Sequence, residues 1–228
     1  MIASPSHRIT AVLLAGAALA ASRGATRGAA QSAAQPAAGA QVGEAYIAKA
    51  RADSLRHPYT EADIHFMTGM ISHHAQAIKM ARWAPSHGAS SSVRVLAERI
   101  INAQQDDITL MQRWLGDRRQ PVPEPSATGM KMMMNGVEHD MLMPGMLTEE
   151  QMQQLDQARG PRFDELFLTF MIQHHKGALT MVQDLFNSYG AGQDETVFKF
   201  ASDVNVDQTT EIARMEKMLL ATLGTSPP

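Results

Sequence analysis

The 228-residue chain has no cysteine. That excludes disulfides, thiolate zinc sites, cysteine-ligated iron–sulfur clusters and a cysteine nucleophile. It has few aromatic residues, 5 %, and no excess of positive charge, with a formal net charge of −3. The mild acidity speaks against a nucleic-acid partner, because phosphate binding wants a basic face. Its longest charge-free apolar stretch, Ile9 to Ala21, is too short to span a bilayer comfortably. What the chain does have is methionine: 17 residues, eight of them between 130 and 152.

The N-terminus has the layout of a secretory signal peptide. His7 and Arg8 precede the apolar run, small residues follow, and Gly28-Ala29-Ala30 offers a cleavage site before Gln31. Residues 1–30 are therefore read as a signal peptide and 31–42 as a flexible leader rich in Gln, Ser, Ala, Pro and Gly. No Cys follows to carry a lipid, and no stable membrane span is expected after cleavage. Outside the cytosol thiols oxidise, and an exported chain that handles a soft metal is left with thioether and imidazole.

The rest of the chain, 43–224, is read as one domain containing an internal repeat. Residues 63–80, DIHFMTGMISHHAQAIKM, and 164–181, DELFLTFMIQHHKGALTM, are identical at nine of eighteen positions at a fixed offset of 101. Both copies keep Asp63/Asp164, Met70/Met171, the pairs His73-His74/His174-His175 and Met80/Met181. A second element repeats at an offset of 104, with Gln104, Asp107 and Met111 answering Gln208, Glu211 and Met215. Apolar spacing of i, i+4, i+7/8 and i+11 makes these elements helical. The spacing predicts hairpin one over 60–115, with breaks at Pro85 and Gly116, and hairpin two over 161–223, opened by Pro161 and interrupted at Gly190 and Gly192. Short helices are expected at about 43–56 and at 149–158, the latter opened by a Thr148-x-x-Gln151 capping box. No stretch reads as a strand. Two hairpins that cannot bury their faces alone imply an all-α four-helix bundle with approximate two-fold symmetry. Between them lies a long Met-rich connection, 116–147, with four Pro and the run GMKMMMNGVEHDMLMPGM.

At 100° per residue, Asp63, Met70 and His74 share one stripe of the first helix, while His73 and Met80 border it. Adjacent histidines diverge, so a site would join one His to a Met a turn away or to the symmetry-related helix. Gln104, Asp107, Gln208 and Glu211 fall on apolar stripes, where polar groups need partners. The neighbouring His pairs are the economical choice, each carboxylate fixing a ring and leaving its other nitrogen for a metal. Asp63 and Asp164 complete this outer set. In the connection, Met130, Met132, Met133, Met134, His139, Met141, Met143 and Met146 form a possible capture segment for Cu(I), or alternatively an apolar lid. Met111 and Met215 read as packing, and His57, His65 and His87, which have no copies, as surface residues.

The duplicated M-I-x-H-H-x-x-A-x-x-M, the downstream Q-x-x-[DE]-I-x-x-M and the linker MPGMLT resemble the DUF305 family over about 60–220. The resemblance implies a ferritin-like four-helix fold and export, with copper binding in some members. Carried over to this chain, it points to His73, His74, Met70, Met80, His174, His175, Met171 and Met181 as metal ligands. The reading is an exported metal-binding protein that binds Cu(I) through His and Met for sequestration, resistance or transfer, without a catalytic set. The metal ion is its expected partner, with a periplasmic copper-handling protein as a possible second one. One alternative is a di-metal iron or manganese oxidase or peroxidase, against which the usual Glu-x-x-His pairs are absent. Another is a structural or binding module whose buried polar network only specifies the core.

Overall fold

The computed structural model describes residues 59–134 and 136–224. The signal segment, the leader and the helix expected at 43–56 lie outside them. Four long helices form the bundle: α1 (Glu61–Arg82), α2 (Ser91–Asp117), α4 (Pro161–Asn187) and α5 (Glu195–Gly224), with the short α3 (Glu149–Gln157) ahead of α4. Thr60 and Asp63 form a capping box at the start of α1, and Thr148 and Gln151 form another on α3. Ser90 caps α2, and Pro161 opens α4. Each hairpin packs α1 on α2 or α4 on α5, and α1 meets α4. Gly69 lies against Met181 and the His73 ring against that of His174, so α1 and α4 run antiparallel across the repeat axis.

The repeat is visible in the packing. Val93, Leu96, Ala97, Ile100 and Met111 are buried on α2, and Val197, Phe200, Ala201, Val204 and Met215 are buried at the matching positions of α5. The apolar interior forms two clusters, one on each side of the histidines. One holds Met67, Met70, Met111 and Met181, and the other Met80, Met171, Met215, Phe163 and Phe167.

The connection departs from the strand-free expectation. Met130–Met134 (β1) and Val137–Met141 (β2) pair antiparallel, from Met130 opposite Met141 to Met134 opposite Val137. The two residues between them are Asn-Gly, and Gly136 has φ +78°. That dipeptide fits a tight hairpin turn, which needs positive φ. Lys131 on one strand is ion-paired with Glu138 and Asp140 on the other. Four Met in five residues conceal the alternation, since Met130 is buried and Met132 packs beside it while Met133 is exposed on the other face. After the hairpin, residues 143–147 form a strap across α1 and α4, touching His73, Gln76, Gln173 and Gly177.

Candidate functional site

The two middle histidines meet at the axis. The rings of His73 and His174 are 3.7 Å apart between centroids, at 37°, and both residues are wholly buried. The outer histidines turn to the second helix of their own hairpin. His74 Nε2 lies 3.2 Å from Asp107 Oδ2, and His175 Nε2 lies 2.8 Å from Glu211 Oε2. An ionised carboxylate only accepts, so each of these rings donates from Nε2, which in a neutral imidazole leaves the Nδ1 lone pair. His73 Nε2 donates to the carbonyl of Pro144 at 3.0 Å, which sets the same tautomer. The Nδ1 atoms of His73, His74 and His175, and both ring nitrogens of His174, find no hydrogen-bond partner. Such orphaned buried atoms are costly unless something else engages them.

Burial excludes positive charge from the two middle rings, His73 and His174. Burial pushes His73 down to about 3, with the neighbouring His74 adding to the shift. Burial, and then His73, also holds His174 well below the ordinary imidazole range. Both rings are neutral at pH 7, the protonation state in which an imidazole nitrogen can ligate a metal.

The remaining expected residues fall into separate groups. Met70, Met80, Met171 and Met181 are all buried, Met70 with Met181 on one side of the histidines and Met80 with Met171 on the other. Gln104 and Gln208 are buried with Oε1 unpartnered. Asp63 and Asp164 serve another purpose. Asp63 accepts from Thr60 N at 2.6 Å and from Gly192 N at 2.7 Å, and Asp164 accepts from Ser90 N at 3.2 Å. Each ties the start of one hairpin to the turn of the other, roughly 16 Å along the helix from the outer His at 1.5 Å per residue. Among the described residues, no three His, Asp or Glu side chains form a ready metal set. In the connection, Met130, Met143 and Met146 are buried in the first cluster and Met132 is packed against it. Met133, Met141 and His139 are exposed.

Residues 63–219 match the profile of DUF305, a domain of unknown function. The chain belongs to the DUF305 family. A DUF305 fragment from Deinococcus radiodurans has the same architecture, with a TM-score of 0.58 and 28 % identity over 71 % of this chain and 97 % of that one. CopM, solved in apo, Cu(I)-, Cu(II)- and Ag-bound forms, is also similar. Its Cu(I)-bound form aligns at 25 % identity and a TM-score of 0.52, over 70 % of this chain and 96 % of that one. Over 57 residues the chain is 35 % identical to the uncharacterized protein L153 of Acanthamoeba polyphaga mimivirus, spanning 38 % of that relative's length.

In this DUF305 chain the strap contributes residues that sequence reasoning missed. The Gln76 amide donates to Leu147 O and Ala127 O and accepts from Leu147 N at 2.6 Å. Gln173 donates to Gly145 O. Gly177 yields space, since a Cβ there would stand 1.9 Å from Pro144 O. Gln76 and Gly177 occupy matching positions of the two copies, where the repeat is not kept, so the sequence offered no signal for either. His87, expected at the surface, is buried: its Nε2 bonds Asp156, and its ring stacks on Trp83. Its place in the α1–α2 turn, beside Trp83 and facing Phe163, explains this.

Proposed function

We propose that this DUF305 protein is exported and binds Cu(I) through His and Met, to sequester it or hand it on. The carrying observation is the buried, neutral His73/His174 contact with unpartnered ring nitrogens, flanked on both sides by buried thioethers. Imidazole and thioether suit a soft monovalent ion that accepts low coordination numbers. His73, His174 and the Nδ1 atoms of His74 and His175 are the proposed nitrogen donors. Met70, Met181, Met80 and Met171 are the proposed sulfur donors. Asp107 and Glu211 orient the outer rings. The copper- and silver-bound forms of CopM support the metal class. The signal-peptide layout supports export, and no helix among the described residues is long and apolar enough to cross a membrane. A periplasmic copper-handling protein would be the natural donor or acceptor.

The test is a Cu(I) titration against a competing chelator, with metal analysis of the protein as isolated. It is repeated with His73, His74, His174 and His175 all changed to Ala. Wild-type binding that the quadruple variant loses supports the proposal. Equal binding by the two overturns the His assignment. Two retained equivalents of iron or manganese would replace copper with the di-metal reading. A variant with a lower Tm and unchanged metal content would leave only a structural role.

A further inference from the structure

The orphaned histidine atoms lie inside the bundle, and the two sides of the centre differ. On the α1–α4 side the strap covers it: Pro144 O sits on His73, and the backbone of Pro144 and Gly145 is pressed against Gly177. Between α2 and α5 lies an open groove of about 540 Å³. Its carboxylates are Asp107, Glu195, Asp203, Asp207 and Glu211, against the two cations Arg99 and Lys199. Lys199 is already ion-paired with Asp203. An acidic lining alone is an ordinary solvated surface.

The groove also contains an independent feature. Gln104 and Gln208, at matching positions of the two copies, line it while only 4 % and 5 % exposed, and their carbonyl oxygens have no hydrogen-bond donor. Two buried amide oxygens without donors cost free energy unless a cation or its water shell engages them. Beside them, Asp107 and Glu211 are partly open to solvent, 35 % and 21 %, and bonded to His74 and His175. Oxygen donors thus run from the groove to the rings whose far nitrogens are free.

We infer that the α2–α5 groove is the entrance by which a metal cation reaches the buried histidines, with Asp203 and Asp207 drawing it in and the Gln104 and Gln208 carbonyls receiving it on the way. This rests on the reading of the histidine centre as a metal site. The charge density is reflected at Asp207, whose carboxyl is raised by burial and by Asp203, Asp107 and Glu211. A cleft lined by one sign of charge focuses the field and raises association rates by about 10–1,000-fold.

The probe is Ag(I) as nitrate in chloride-free buffer, added to the full exported protein. Uptake is followed by stopped-flow tryptophan fluorescence, and the equilibrium by calorimetry. The double variant Asp203→Asn/Asp207→Asn should slow association by about tenfold at low salt and flatten its salt dependence. It should alter Kd much less. Glu149→Gln/Glu150→Gln, which removes the same charge from exposed positions on α3, should leave the rate unchanged. Ala103→Trp, at an exposed position on the groove wall, should slow uptake and release together. Wild-type association rates in both groove variants, with binding intact, would overturn the entrance while sparing the metal site. Failure of the wild type to bind Ag(I) at all would overturn the metal reading and the entrance with it.

Discussion

At the residue scale, the histidines carry a clear pH signature. His73 and His174 titrate below their ordinary value in the fold, while an unfolded chain protonates them near 6.5. The unfolded state therefore binds more protons between about pH 3 and 6.5. Stability is fully present above 6.5 and is lost as pH falls through that window. Urea denaturation of the metal-free protein should show a loss of about 1.4 kcal/mol per pH unit for each ring. His174→Leu should remove one proton from that slope, and an unchanged slope would refute the assignment. Gly177 gives a second prediction. Gly177→Ala should cost about 1–3 kcal/mol in thermal denaturation, because the new Cβ meets backbone rather than a yielding side chain. The His pairs and their acid partners were legible in the sequence, because a duplicated pattern shows which residues both copies retained. The roles of Asp63 and Asp164 were not. Both lie three residues or fewer from a helix start, and that position, more than the stripe each shares with the outer His of its own helix, decides what they bind.

At the element scale, helices could be read from their period, and their ends from Thr60, Ser90, Pro161 and the turn glycines. The β1–β2 hairpin was hidden because methionine occupies both faces of β1, so polarity does not alternate there. The Asn-Gly dipeptide was the readable sign. The strap's position was not legible, since contacts such as Pro144 with Gly177 are tertiary and separated by thirty-odd residues. Gln76 anchors this element through two hydrogen bonds to Leu147, and a third ties Ala127 ahead of the hairpin. Gln76→Ala should destabilise the protein by roughly 2–3 kcal/mol, at about 1 kcal/mol per bond. Hydrogen exchange should show the Leu147 amide losing its protection; retained protection would mean that the strap is held by packing alone. Within the strap, Met143 and Met146 are part of the first apolar cluster. Among the described residues of the segment, the exposed Met133, Met141 and His139 remain available to contact an ion in solution.

At the scale of the whole molecule, neither hairpin can bury its histidine face without the other. The clasps Asp63–Gly192 and Asp164–Ser90 lock them reciprocally. Calorimetry should therefore show one cooperative transition for both hairpins, and residues 59–120 expressed alone should show little helical circular dichroism. Two separable melting steps would contradict this. The duplicated architecture was readable because the repeats keep fixed offsets of 101 and 104. The strap, in contrast, belongs to neither copy. A linker exists only once two units share a chain, and two separate hairpins related by a true two-fold would have placed His73 and His174 in identical surroundings. Fusion freed matching positions to diverge, and Gln76 and Gly177 did so: one grips the linker, the other makes way for it. The linker thus makes the two halves of the centre unlike: it occupies one ring nitrogen of His73 and leaves both of His174 without a partner.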